Sequence, residues 1–135
     1  MLPDWVSHYT GKPFAHRGRG PVAYDCYGLL KAVLEREFGA GPLPDYLDDY
    51  RHADGIGAAR AVVGAMRGGP WQRVTGPAQP GDALVWRFNG VARHVAVCVA
   101  PGWMLHVEKG CETVAERIDN PMWTGRLEGV FRYVD

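Results

Sequence analysis

The chain changes character at Pro70. Before it, apolar residues recur with helical spacing. After it, residues 71–74, 83–88, 95–99, 103–107, 113–118 and 130–134 are short β-prone runs separated by turn residues. Helices followed by strands predict an α+β domain, with the helices packed on an antiparallel sheet or partly closed barrel of about five to six strands. The 135 residues suit one domain spanning 1–135 with a single core.

The longest helical signal covers residues 26–38. Asp25 is placed to cap it, Leu29, Leu30, Val33, Leu34 and Phe38 recur on one face, and Gly39 fits the stop. A short helix is expected at Pro3–Asp4, carrying Trp5, Val6 and Tyr9, and another at 56–67 before Gly68-Gly69-Pro70. Cys26 therefore falls on the first helical position, among free backbone N–H groups, an environment that favours thiolate. His94 and His106 lie on strand-like segments downstream. A cysteine with a histidine is the minimum set for nucleophilic acyl transfer: thiol as nucleophile, imidazole as base, helix N–H groups as oxyanion donors. His94 is the candidate base and His106 the group that would orient it.

The spacing of the two histidines sets a register condition. They face each other directly if the hairpin between them is centred on Ala100, and the chain is expected to use that register. A two-residue turn at Pro101-Gly102 would send them to opposite faces of the sheet. Zinc is the competing use of Cys26, His94 and His106, but no Cys-x-x-Cys or His-Glu-x-x-His pairing accompanies them, so no metal or cofactor is expected.

Charge excludes other classes. Lys+Arg and Asp+Glu cancel at 15 each, so no net basic field points to nucleic acid or anionic lipid. The basic run His16-Arg17-Gly18-Arg19-Gly20 reads as a solvated loop. No membrane-spanning stretch or signal peptide is visible, so synthesis in the cytoplasm is expected. Three cysteines do not describe a disulfide framework, and Cys98 and Cys111 read as buried or half-buried residues.

Tyr24-Asp25-Cys26-Tyr27-Gly28-Leu29-Leu30, Gln79-Pro80-Gly81-Asp82-Ala83-Leu84-Val85, His94-Val95-Ala96-Val97 and Leu105-His106-Val107, in that order, resemble the NlpC family of cell-wall cysteine endopeptidases. The resemblance implies a papain-like α+β fold and hydrolysis of peptide bonds in peptidoglycan stem peptides, often beside D-glutamate and a diamino acid. It implies Cys26 as nucleophile, His94 as base and His106 as third polar member, with Asp25, Tyr27 and Phe14 on the substrate side. Lys12-Pro13-Phe14, Gly18-Arg19-Gly20-Pro21 and Leu43-Pro44-Asp45-Tyr46 are similar to the branch encoded with phage tail genes, which implies tail-tip partners and a place in the virion, acting at the bacterial wall. Two positions depart from many cell-wall members: Tyr27 replaces a serine, and Phe14 a tyrosine whose hydroxyl lies near the reacting centre. A structural tail-tip protein with weak or no activity, and acyl transfer to an acceptor other than water, are the alternatives.

Overall fold

The computed structural model describes residues 1–50 and 63–134. A short 3-10 helix, Asp4–His8, opens the chain. Helix α1 spans Cys26–Glu37, and residues 63–68 are helical; the remainder of the helix expected at 56–67 lies outside the described residues. Six strands follow: β1 Trp71–Val74, β2 Ala83–Phe88, β3 Val91–Ala100, β4 Trp103–His106, β5 Val114–Arg117 and β6 Leu127–Tyr133. They form one antiparallel sheet in the order β1-β6-β2-β3-β4-β5. This is the α+β architecture the order of elements predicts. Among the described residues no helix is long and apolar enough to cross a membrane.

Strand β3 explains the unbroken apolar run at its centre. Side chains alternate across a strand. Val95, Val97 and Val99 join Leu29, Leu30, Val33 and Leu34 of α1 in the main core. Ala96 and Cys98 point the other way, into a second cluster with Leu84, Trp86, Met104 and Trp123. A strand covered on both faces has no polar side to show, so its sequence does not alternate. Cys98 is buried as expected, but Cys111 is exposed, because it lies in the turn before β5.

Two irregularities bracket the stretch that carries His94. Strand β3 starts at Val91, earlier than the expected 95, because Asn89 and Gly90 close a tight hairpin with φ of 52° and 76°. Trp86 then pairs with His94 but Arg87 with Ala92, which leaves Arg93 as an extra, bulged residue. At the other end the chain turns at Pro101-Gly102, and Ala100 pairs with Trp103 while Cys98 pairs with Met104. Val99 is the second bulge. The Ala100-centred register is therefore corrected. The turn is the two-residue one, and the bulge at Val99 shifts the pairing by one and restores the parity that the turn alone would have lost.

The segment ahead of α1 folds back over the helix start. The Asp25 N–H donates to Gly18 O at 3.1 Å, and the Gly18 N–H to Ala15 O at 2.8 Å. Arg19 reaches Asp25 Oδ1 at 2.8 Å and Asp45 O at 2.7 Å, with its guanidinium over the Tyr27 ring. The basic run is therefore not a solvated loop. Arg19 is held because the carboxylate it faces is the helix cap itself. On the sheet side, the buried Asp82 accepts from Arg132 Nε and Nη2 and from the Gln79 N–H, which anchors the Pro-Gly turn entering β2.

Candidate active site

Asp25 ends the loop with extended backbone (φ −88°, ψ 177°), and its Oδ1 accepts from the Gly28 N–H at 2.6 Å. That is the expected cap, and it fixes Cys26 on the first turn of α1. Cys26 is partly exposed and packs at the edge of the main core. The backbone N–H groups of Val95 and Tyr27 favour its ionised form. The thiol therefore abuts β3 at the residue that follows His94.

His94 and His106 share a face of the sheet. The pairing of Cys98 with Met104 and Val97 with Leu105, continued along the strands, makes them diagonal neighbours rather than direct partners. Ring nitrogens span the diagonal: His94 Nε2 and His106 Nδ1 are 3.0 Å apart. His106 Nε2 lies 2.8 Å from Glu116 Oε2 on β5. The other oxygen, Glu116 Oε1, accepts from Trp123 Nε1 at 2.7 Å. The Trp123 indole also stacks on His94 (centroids 5.8 Å apart, planes at 16°) and meets His106 edge-on. Beside His106 opens a hollow of about 390 Å³ whose walls include Glu108, Cys111, Glu112 and Glu116.

The protonation states run against the sequence expectation of a resting thiolate. Burial, and then the adjacent Asp25 carboxylate, push the Cys26 thiol up to about 12, outweighing the two N–H groups and Arg19. A helix terminus contributes roughly 0.3–1 kcal/mol at most exposed sites, less than one pKa unit, whereas burial moves such groups by up to about 3–5 units. Burial, the neighbouring His106 and Arg93 hold His94 well below the ordinary histidine range. Both shifts favour the uncharged pair, a thiol and a neutral imidazole.

This has a consequence for stability. A histidine whose folded pKa is depressed takes up its proton in the unfolded chain first. Its stabilising contribution is complete above about pH 6.5 and is lost as pH falls below that value, at up to about 1.4 kcal/mol per pH unit. Urea unfolding at pH 7.5 and 5.5 should show wild type losing about 1 kcal/mol more than His94→Gln. Equal losses would mean that His94 is not held neutral in the fold.

The remaining site expectations divide. Phe14 is half-buried at the edge of the main core, and its N–H donates to Cys111 O at 3.1 Å. Tyr27 does not line a groove: it is fully buried, donates to Pro44 O at 2.7 Å and packs on the Tyr46 ring. The reason is helical. Tyr27, Leu30 and Leu34 fall at i, i+3 and i+7, the stripe that α1 turns inward. Glu116, Trp123 and the Arg93 bulge were not singled out from sequence. Glu116 had one available signal, being the sole acidic residue in the strand-like run 113–118.

The NlpC/P60 family model matches residues 11–132. The chain belongs to the NlpC/P60 family. No curated protein sequence matches it. Among solved structures, this NlpC/P60 chain is similar to a lipoprotein-like NLP/P60 protein of Staphylococcus aureus subsp. aureus Mu50, with TM-score 0.65 and 21% identity over 98% of the chain. It is similar to an NlpC/P60 family protein of Bacillus cereus ATCC 10987, with TM-score 0.65 and 18% identity over 100% of the chain. It spans only 40% and 42% of those two proteins. A third similar structure is the NlpC/p60 domain of the peptidoglycan hydrolase SagA, with TM-score 0.56 and 20% identity over 93% of this chain and 90% of that one. At these identities the likeness is one of fold, and it bears out the papain-like α+β reading.

Proposed function

We propose that this NlpC/P60 chain is a cysteine peptidase that hydrolyses peptide bonds in the stem peptides of bacterial peptidoglycan. The observation that carries the proposal is the arrangement at the start of α1. Cys26 sits on a capped helix terminus against the backbone of Val95, and His94, the preceding residue, is tied through Nε2 to His106 at 3.0 Å. Family membership supports the peptidase class, and the naming of SagA as a peptidoglycan hydrolase supports the substrate.

In the mechanism we infer, neutral His94 takes the Cys26 proton as the thiol attacks the scissile carbonyl. Proton transfer and attack are coupled, because neither partner is ionised at rest. The backbone N–H of Cys26, at the helix start, receives the developing oxyanion. The His94 imidazolium then protonates the leaving amine as the C–N bond breaks, leaving a thioester. Water, deprotonated by His94, cleaves the thioester and restores the thiol. Asp25 shapes the site by capping α1, and Phe14 borders it without the hydroxyl that a tyrosine would bring.

We propose further that the protein works as a phage-tail component at the cell wall, with tail-tip proteins as partners. The likeness of Lys12-Pro13-Phe14, Gly18–Pro21 and Leu43–Tyr46 to the tail-encoded branch supports this reading. The second reading is a tail-tip protein that keeps the fold with weak or no hydrolase activity, favoured by Phe14 in place of tyrosine. Digestion of purified peptidoglycan, read by mass spectrometry, separates them. The peptidase should release stem fragments with new amino termini. Sacculi left intact, together with copurification with tail proteins, would replace the peptidase by the structural reading.

A further inference from the structure

We propose that Glu116 is a positioning residue of this site, which sets the tautomers of both histidines and so leaves Nδ1 of His94 as the basic nitrogen. The inference rests on the reading of His94 as the base.

One chain of contacts, from Trp123 through Glu116 and His106 to His94, places the protons. Trp123 Nε1 can only donate, and it lies 2.7 Å from Glu116 Oε1. A carboxylate only accepts, so the contact between Glu116 Oε2 and His106 Nε2, at 2.8 Å, requires the proton on His106 Nε2. A neutral His106 is then bare at Nδ1. The 3.0 Å contact from His94 must in turn be a donation from His94 Nε2–H. That leaves a lone pair on His94 Nδ1, the one ring nitrogen not engaged with His106. The order is therefore indole, carboxylate, imidazole, imidazole, with every proton placed by the end that has no choice.

The backbone supports the same assignment. Glu116 is brought in by β5, whose register pairs it with Met104, and it reaches His106 along the diagonal. Trp123 comes from the short 3-10 helix Pro121–Trp123, started by Pro121 and capped by the Asn120 side chain. Trp123 is almost wholly buried, so it pins the carboxylate while covering one face of His94. Glutamine cannot substitute in this chain. Its single acceptor oxygen can serve Trp123 or His106 but not both. If its NH2 faces His106, the protons reverse and His94 carries hydrogen on Nδ1.

The test begins with nitrogen-15-labelled wild type, in which long-range proton–nitrogen NMR reads the tautomer of each neutral imidazole. His106 and His94 should both carry the proton on Nε2. In Glu116→Gln, kcat on a stem-peptide substrate should fall at least about tenfold with KM little changed. The wrong tautomer costs up to about 10⁴-fold where a carboxylate touches the base directly, and here a second ring intervenes. Glu116→Asp, which keeps the acceptor pair, should recover part of the loss. Unchanged kcat in Glu116→Gln, or a wild-type His106 protonated on Nδ1, overturns the proposal. If Glu116→Gln does not fold, the wild-type spectrum decides the matter alone. A wild type that cleaves nothing yet shows the expected tautomers ends the hydrolase reading and leaves the assignment of Glu116 standing.

Discussion

Cys26→Ala should abolish the release of stem-peptide fragments, with a rate loss of at least about 10⁴-fold, because removal of a nucleophile leaves only binding and oxyanion stabilisation. The same change should barely alter the fold. Cys26 is partly exposed, and the alanine keeps the helix start and its Asp25 cap, so unfolding free energy should move by no more than about 1 kcal/mol. A control sharpens the result. Cys98 is buried on the other face of the sheet, with its thiol near the carbonyls of Ala78 and Ala100, and Cys111 lines the hollow beside His106. Cys111→Ser should keep full activity. Loss in Cys111→Ser with retention in Cys26→Ala would transfer the chemistry to the wrong end of the histidine pair and end the mechanism inferred above.

Gly28→Ala should be the most damaging single methyl in the described chain. A Cβ at Gly28 would run into the carbonyl oxygen of Gly18 and come within 3.1 Å of the Arg19 guanidinium. Neither neighbour can yield alone. The Gly18 carbonyl accepts from the Asp25 N–H, and Arg19 holds the Asp25 carboxylate that caps α1. Overpacking against backbone typically costs about 1–3 kcal/mol, and loss of the cap adds about 1 kcal/mol. A loss of about 2–4 kcal/mol in urea unfolding is expected, with activity falling as the helix start is displaced. Wild-type stability in Gly28→Ala would show that the loop over the helix start is not fixed as described.

Local chemistry made much of the fold legible. Asp25 and Gly39 mark the ends of α1, and each of the six strands overlaps a run of β-branched and aromatic residues between turns, four of them to within one residue at each end. What escaped is what depends on pairing between distant residues. The Asn89-Gly90 turn lengthens β3, and the bulge at Arg93 follows from fitting that longer strand to β2. The candidate site was legible in Cys26, His94 and His106, because a cysteine after a helix-capping aspartate and histidines on two neighbouring strand-like runs can be read from local sequence. The support was not. Tyr27 was read by its nearness to Cys26 rather than by its place on the inward stripe of α1. Glu116 becomes meaningful only when β5 lies beside β4. The thiol's ionisation was misjudged for the same reason, since a helix terminus is visible in sequence and burial is not.

The bulge at Val99 makes the face that the histidines share independent of the hairpin's length. The bulge takes up the one residue by which β3 exceeds β4 between the Cys98–Met104 pair and the turn. Loss of Val99 would leave a regular two-residue hairpin with Cys98 still opposite Met104, and a residue inserted between Pro101 and Gly102 would lengthen the loop without moving that pair. Only a slip of the ladder itself by one residue would turn His106 toward the helix side. The orientation of this site is thus held by the paired strands and is indifferent to the length of the loop that joins them.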